Sequence, residues 1–419
     1  MADMISLEEA QTLVLDHMKL LPMETVPLLE SIGRVAACDQ ASDMDVSPFA
    51  HSAMDGYAVF AADLQKASEG NPVRLSVLAE VAAGDVFEGA ANSGECVRIM
   101  TGAPLPEMFD AVVKYEVVRV VSGDGAGGSV VEFVAPTEVG SNIRQAGEEA
   151  HAGDVVVSAG EVITSAGAGF LASCGVLEVP VYRRPRVAII ATGSELVDAR
   201  EVPQAGQIRN SNSYALAACA QAAGAVPEML PVVRDSLEAL ENALEDATKR
   251  FDFVVTSGGA ANGDFDYIKP AVAEKGELFM TTVNMRPGKA QTFGIVNGTP
   301  VFGLPGNPAA AYCGFELIIR PALRKMQGFM TFDRATTVAQ LARDVKKRDP
   351  RRLFMRGSLV KAEDGTLSFI PANNQSSGLF GPIQRSNCLA MLPEFETGVF
   401  AQGTKVTCVL LDVPEGVVL

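Results

Sequence analysis

Val187-Ala188-Ile189-Ile190, followed closely by Thr192-Gly193-Ser194-Glu195-Leu196, is the stretch on which the reading of this chain turns. Four consecutive apolar residues closed by a glycine turn describe a strand buried on both faces and ending in a loop. Downstream the text alternates. A helix-like segment over 213–223 stops at Gly224, and a strand over 227–233 leads to a helix over 236–249. The strand 251–257, a glycine-rich turn, a helix over 267–274 and the strand 301–305 complete the series. Strands alternating with helices of about 10–15 residues predict βαβ units, hence a three-layer α/β domain on a mainly parallel sheet. In such sheets the working groups sit on loops at the carboxyl ends of strands.

Outward from this segment the pattern changes on both sides. Ser6 and Glu9 have the spacing of a capping box, and Leu7, Ala10, Leu13, Val14 and His17 recur at helical intervals, so a helix opens the chain. From about 42 to 153 short apolar runs broken by Gly, Asp and Pro predict small antiparallel sheet. After Met330 the text returns to short strand-like pieces, which predicts a C-terminal β domain. No repeat or low-complexity tract interrupts this order.

The 419 residues carry 34 Lys plus Arg against 51 Asp plus Glu, a net charge of -17. With 48% apolar and 20% charged residues, the composition fits several buried cores and excludes a disordered chain. Nucleic acid and anionic membrane are poor partners for so acidic a surface, and an anionic substrate needs a local positive exception. Seven scattered cysteines without a CxxC pair read as reduced, mostly buried thiols, and three histidines argue against a histidine-rich metal centre. The acidic start and the lack of a long apolar run place the expected location in the cytoplasm.

Three turns of the α/β segment carry candidate chemistry. Thr192 to Glu195 is one, Ser257-Gly258-Gly259 is the second, and Pro305-Gly306-Asn307-Pro308 is the third. Glycines let successive amides converge on an anion, and Asn307 with Pro308 suits the cap and first position of a helix, whose start attracts phosphate. Taken singly, each also reads as a tight connection and nothing more. Asp235, Asp264 and Asp266 are oxygen ligands of the kind that hold Mg²⁺ through substrate phosphate, or solvated helix starts. Arg286-Pro287-Gly288-Lys289 is one candidate positive exception, and Lys346-Lys347-Arg348 with Arg351, Arg352 and Arg356 is a second; each also reads as a solvated face.

Several of these segments recur as a set. Ser52-Ala53-Met54-Asp55-Gly56-Tyr57-Ala58, Arg98 to Pro104, Asn142 to Glu148, Arg186 to Leu196, Gly206 to Asn212, Ser257 to Tyr267, Arg286 to Lys289 and Leu304 to Pro308 run in order along almost the whole chain. Together they resemble the molybdopterin molybdenumtransferase (MoeA) family, which includes the E domain of gephyrin. The resemblance implies a homodimer of four-part subunits. These are a discontinuous linker domain (1–41 and 150–181), a β-rich inserted domain (42–149), an α/β molybdopterin-binding domain (182–329) and a C-terminal β domain (330–419). It implies a reaction in which adenylylated molybdopterin and molybdate, with Mg²⁺ as cofactor, yield molybdenum on the dithiolene and AMP. A molybdopterin adenylyltransferase is the implied partner that supplies the substrate.

Residue by residue, the resemblance puts Asp55 and Thr101 on the side of the cleft supplied by the partner subunit and makes Glu149 a further catalytic carboxylate. Glu195, Asp235 and Asp266 take the acidic, metal-holding positions of the α/β domain. Ser257, Gly258, Gly259, Pro305, Gly306 and Asn307 meet substrate phosphate, and Arg286, Lys289, Arg356 and Ser377 meet the anions. Three departures stand out. Glu149 replaces an aspartate, Arg286 replaces a lysine, and Thr282 stands where the family carries another lysine, which removes a cation. Beside active insertion this leaves two alternatives: a non-catalytic molybdopterin-binding or scaffold paralogue, and an insertase that handles tungstate.

Overall fold

A computed structural model describes residues 4–259 and 267–411. Contacts divide the chain into two compact units, Met1–Glu24 with Pro180–Leu419, and Thr25–Val179.

In the larger unit the run at 187–190 becomes the strand Arg186–Ala191 of a six-stranded sheet. Its order is Val226–Met229, Arg186–Ala191, Phe253–Ser257, Thr299–Leu304, Ala290–Val296, Gly276–Thr282. The first four strands are parallel, and the last two turn antiparallel. Alternation along each strand explains why the apolar runs are continuous. Val187, Ile189, Phe253 and Val255 face one cluster with Leu216 and Ala220 of the helix Asn212–Ala222. Ala188, Ile190 and Val254 face the other, with Leu240 and Leu244 of the helix Leu237–Arg250. Helices therefore cover both faces, as a parallel sheet requires. The strand expected over 227–233 is shorter. It ends at Met229, and Val233 makes only an isolated bridge to Thr192. Pro231 has no N–H to give a ladder, and the strand lies at the sheet edge, where proline is tolerated.

The capping box forms as read: Glu9 N–H donates to Ser6 Oγ (3.2 Å) and Ser6 N–H donates to Glu9 Oε2 (2.8 Å). The helix it starts, Leu7–Asp16, buries Leu7, Ala10 and Val14 in the core of the larger unit. Gln11 Nε2 donates to Leu317 O (2.7 Å) and Lys325 Nζ to Leu15 O (2.8 Å), which bind it to the long helical run 308–326.

The C-terminal strands close on themselves. Arg352–Lys361 pairs with both Leu367–Pro371 and Cys388–Leu392, and Thr336–Leu341 and Lys405–Leu410 complete the ring. A closed cylinder of five strands leaves no free edge. Leu341, Met355, Phe369 and Leu392 fill it. The short strand Met285–Arg286 adds to its outside in parallel, opposite Arg352 and Leu353.

The smaller unit holds a six-stranded sheet in the order Ala111–Lys114, Gly56–Val59, Glu95–Ile99, Val73–Val81, Val130–Phe133, Val118–Ser122. It is antiparallel except between Val73–Val81 and Glu95–Ile99. The connection 82–94 between those two is long enough to cross over, which a hairpin turn is not. All seven cysteines are free thiols, six buried and Cys38 exposed. No helix among the described residues is long and apolar enough to cross a membrane.

Gly56, inside the most distinctive motif of this unit, has a packing role. A Cβ there would stand 2.1 Å from Val113 O on the paired strand. Gly56→Ala is therefore expected to cost about 1–3 kcal/mol and to lower the melting temperature by several degrees in a circular-dichroism melt. An unchanged melting temperature would contradict this packing.

Candidate functional site

The ladder register sets the geometry of the larger unit. Ala191 is opposite Ser257, and Ser257 is opposite Leu304, so three strands end at one level and their turns leave side by side. Those turns line a cleft of about 720 Å³ that includes Thr192, Glu195, Asn212, Asp235, Ser257 and Asn307. Thr192 N–H donates to Ser257 O (2.9 Å) and Gly258 N–H to Leu304 O (3.2 Å), which locks neighbouring turns together. Glycine is required at 258, where φ is +95° and a Cβ would lie 2.2 Å from Thr192 O.

Two of the three acids expected here, Glu195 and Asp235, line the cleft. Asp235 Oδ2 accepts from Ser194 N–H (2.9 Å), so this carboxylate also shapes the turn that carries Glu195. The Glu195 carboxylate folds over Gly193, where a Cβ would stand 2.6 Å from its Oε2. Asp264 and Asp266 lie outside the described residues.

Part of the expected cradle of amides is engaged within the fold. Gly258 N–H is taken by Leu304 O. At the helix Pro308–Gly314, Ala309 N–H donates to Ser377 O (2.8 Å), and Ala310 and Ala311 N–H both reach Asn307 O (3.0 Å). Asn307 takes the cap position and Pro308 the first helical one, as read, yet the Asn307 side chain makes no capping bond. These amides are spent within the fold, while Gly259, Gly306 and Asn307 line the cleft beside the Ser257 side chain.

A second cavity, about 810 Å³, abuts the first: Asn307 lines both. It brings together Arg286, Lys289, Pro305, Arg356 and Ser377 as expected, and it also unites the two basic clusters that the sequence keeps apart. Lys346, Lys347, Arg348 and Arg351 stand on the same wall, with Asp349 the one carboxylate among the lining residues. The pairing of Met285–Arg286 with Arg352 and Leu353 makes this meeting unavoidable. Gln291 Nε2 donates to Gly288 O (2.8 Å) and so fixes the loop that carries Lys289.

The cations of this cavity differ in state. Arg356 is only 1% exposed; its Nη2 donates to Ser376 O (3.0 Å), its Nε has no partner, and burial lowers its pKa. Lys347 is likewise buried, donates to Glu396 O (2.5 Å) and has its pKa lowered by desolvation. Asp349 accepts from Arg351 Nε (2.8 Å) and Arg286 Nη1 (3.3 Å). Thr282 lies at the end of Gly276–Thr282 opposite Ala290, and Ala290, not Thr282, lines the cavity.

Asp55, Thr101 and Glu149 belong to the smaller unit. Asp55 Oδ1 accepts from Thr101 N–H (2.8 Å) and Thr101 Oγ1 (2.7 Å), and these bonds hold its pKa below the usual carboxylate value. Glu149 is exposed, and its backbone N–H donates to Val46 O (3.0 Å).

Comparison with known proteins identifies the family. Residues 5–175 match the MoeA N-terminal region (domain I and II), 188–325 a probable molybdopterin binding domain, and 338–411 the MoeA C-terminal region (domain IV). Over 409 residues the chain is 34% identical to the molybdopterin molybdenumtransferase of Staphylococcus aureus (strain COL), covering 97% of this chain and 96% of that protein. The chain belongs to the MoeA family. The Bacillus subtilis (strain 168) molybdopterin molybdenumtransferase is 36% identical, with 97% of this chain and 94% of that protein covered. The crystal structure of the molybdopterin biosynthesis MoeA protein from Pyrococcus horikoshii OT3 aligns with a TM-score of 0.82 at 29% identity, covering 98% of this chain and all (100%) of that one.

Within this MoeA-family chain, sequence reasoning gave no individual role to Asn212 or Asp349. Asn212 lay in a quoted motif, but only its contacts reveal that it joins two turns. Asp349 has a pH signature. The Arg351 side chain, with further help from its backbone N–H and the Arg286 charge, holds the Asp349 carboxyl well below the ordinary range. A depressed folded pKa stabilises the protein above the unfolded value of about 4 and loses that contribution as pH falls. Asp349→Asn is expected to lower the urea midpoint at pH 7 and to show a smaller further loss between about pH 4 and 2 than the wild type. Parallel acid limbs in the two proteins would refute the assignment.

Proposed function

We propose that this MoeA-family chain is a molybdopterin molybdenumtransferase that moves molybdenum from molybdate to adenylylated molybdopterin and releases AMP. The observation that carries this reading is the pair of adjoining cavities sharing Asn307, one holding Glu195 and Asp235 and the other lined by cations. A pyrophosphate with its counter-ion suits the first, and a tetrahedral oxyanion suits the second. The stoichiometry closes without a protein nucleophile. Two dithiolene thiols and molybdate give a dithiolene-bound trioxomolybdenum and one water, and one water divides the pyrophosphate into AMP and the pterin monophosphate.

Glu195 is exposed, and Asp235 commits one oxygen to Ser194 N–H and leaves the other. Among the described residues no group of three or more metal-ligating side chains gathers, but Mg²⁺ held through one or two carboxylates plus substrate phosphate needs no larger set. Glu195 and Asp235 would hold it, with Asp266 as the third acid of this reading. When bound, the ion neutralises charge on the phosphate oxygens. The protein's own part is to orient the substrate by Ser257 and the Pro305-Gly306-Asn307 turn, and to hold the oxyanion by Lys289, Arg286 and the buried Arg356. The homodimer, the four-segment division, a supplying adenylyltransferase and a cytoplasmic location belong to the same reading.

A second reading, a pterin-binding scaffold without turnover, is favoured by Thr282, which takes the place of a cation. Against it, Lys289, Lys346 and Arg348 have no carboxylate partner among the described residues and supply charge to the same cavity.

Purified protein with adenylylated molybdopterin, molybdate and Mg²⁺ is expected to release AMP, followed by chromatography, and to yield active cofactor. Binding without AMP above a no-protein control would support the scaffold, and molybdate–tungstate competition separates the two oxyanions. Glu195→Gln and Asp235→Asn should each reduce turnover by about 10²–10³-fold while Glu195→Gln leaves the melting temperature near that of the wild type. A collapse of stability in Glu195→Gln would instead make that residue structural.

A further inference from the structure

Asn212, the first residue of the helix Asn212–Ala222, is 9% exposed and lines the acidic cleft. Its Nδ2 donates twice, to Ser257 Oγ (2.7 Å) and to Gly306 O (2.8 Å). A carbonyl oxygen accepts only, so the amide nitrogen must face Gly306, and the orientation of the Asn212 side chain is fixed. The cost is visible on the other side: Asn212 Oδ1 is buried without a partner. Packing alone would be served as well by an apolar residue, which would leave no orphaned oxygen.

The bond to Ser257 has a directional effect. Ser257 is 2% exposed and lines the same cleft. Its oxygen accepts a hydrogen bond from Asn212 Nδ2, and no acceptor for its own O–H is found among the described residues. A hydroxyl with one lone pair occupied by a donor offers its hydrogen elsewhere. Gly258 and the first helical amides are spent, so this O–H is one of the donors left to the ligand.

We infer that Asn212 is a positioning residue: it orients the Ser257 hydroxyl as a donor to a phosphate oxygen and clamps the Ser257 and Gly306 turns at one spacing. The inference rests on the reading of this cleft as a nucleoside-diphosphate site. Asn212 itself need not touch the ligand; it acts through Ser257.

A double-mutant cycle tests this with ADP and Mg²⁺ as the probe, in titration calorimetry on the full chain. Asn212→Ala and Ser257→Ala should each weaken ADP binding about 10-fold, and the double variant should be no more than about 3-fold worse than either single one. Asn212→Leu, near in shape and without donors, is expected to match Asn212→Ala and replaces it if the alanine variant does not fold. Independent effects, near 100-fold in the double variant, would overturn the positioning role while leaving the site intact. So would wild-type affinity in Asn212→Leu. A wild-type chain that does not bind ADP would instead remove the nucleotide reading, and the inference with it.

Discussion

The constraint on which the site depends is the register of three parallel strands. Because Ala191, Ser257 and Leu304 stand level, the turns that follow emerge as one rim, and their first donors and acceptors are consumed in holding each other. A slip of one residue in any strand would exchange the side chains packed in the two helical layers, so the packing that builds both cores also holds the cleft. The two clusters divided by the sheet, with Val187 and Ile189 on one side and Ala188 and Ile190 on the other, are the source of that protection.

Charge is organised on this scaffold by contrast. The chain is strongly acidic overall, yet one cavity concentrates cations from two distant segments, with Asp349 holding Arg351 and Arg286 in place. Burial of Arg356 and Lys347 strengthens their field on any anion that displaces water from them. The neighbouring cleft carries the opposite sign, and the shared Asn307 makes the two a single extended surface for a substrate with both kinds of demand.

Local signals made much of this readable. Continuous apolar runs announced the central strands, Ser6 with Glu9 announced a real capping box, and Asn307 with Pro308 marked a real helix start. Failures came where the outcome depends on partners. Residues 227–233 look like a strand until the edge position and Pro231 shorten it. The Gly258 amide looks open until Leu304 O claims it. The two basic clusters look like alternatives, and only the pairing of Met285–Arg286 with Arg352 and Leu353 reveals them as one site. Asn212 was invisible for the same reason, since its meaning lies in two contacts with residues far along the chain.

The N-terminal helix carries one more consequence, for the order in which the molecule is made. Leu7–Asp16 completes the core of a unit whose remaining residues begin at Pro180, and its polar ties reach Leu317 and Lys325. On a ribosome it emerges before the segments it packs against, which follow only after the whole of Thr25–Val179 has been synthesised. Its apolar stripe of Leu7, Ala10 and Val14 is unprotected throughout that interval. The final closure of the larger unit is thus a long-range event, slow by topology, that must bring Gln11 to Leu317.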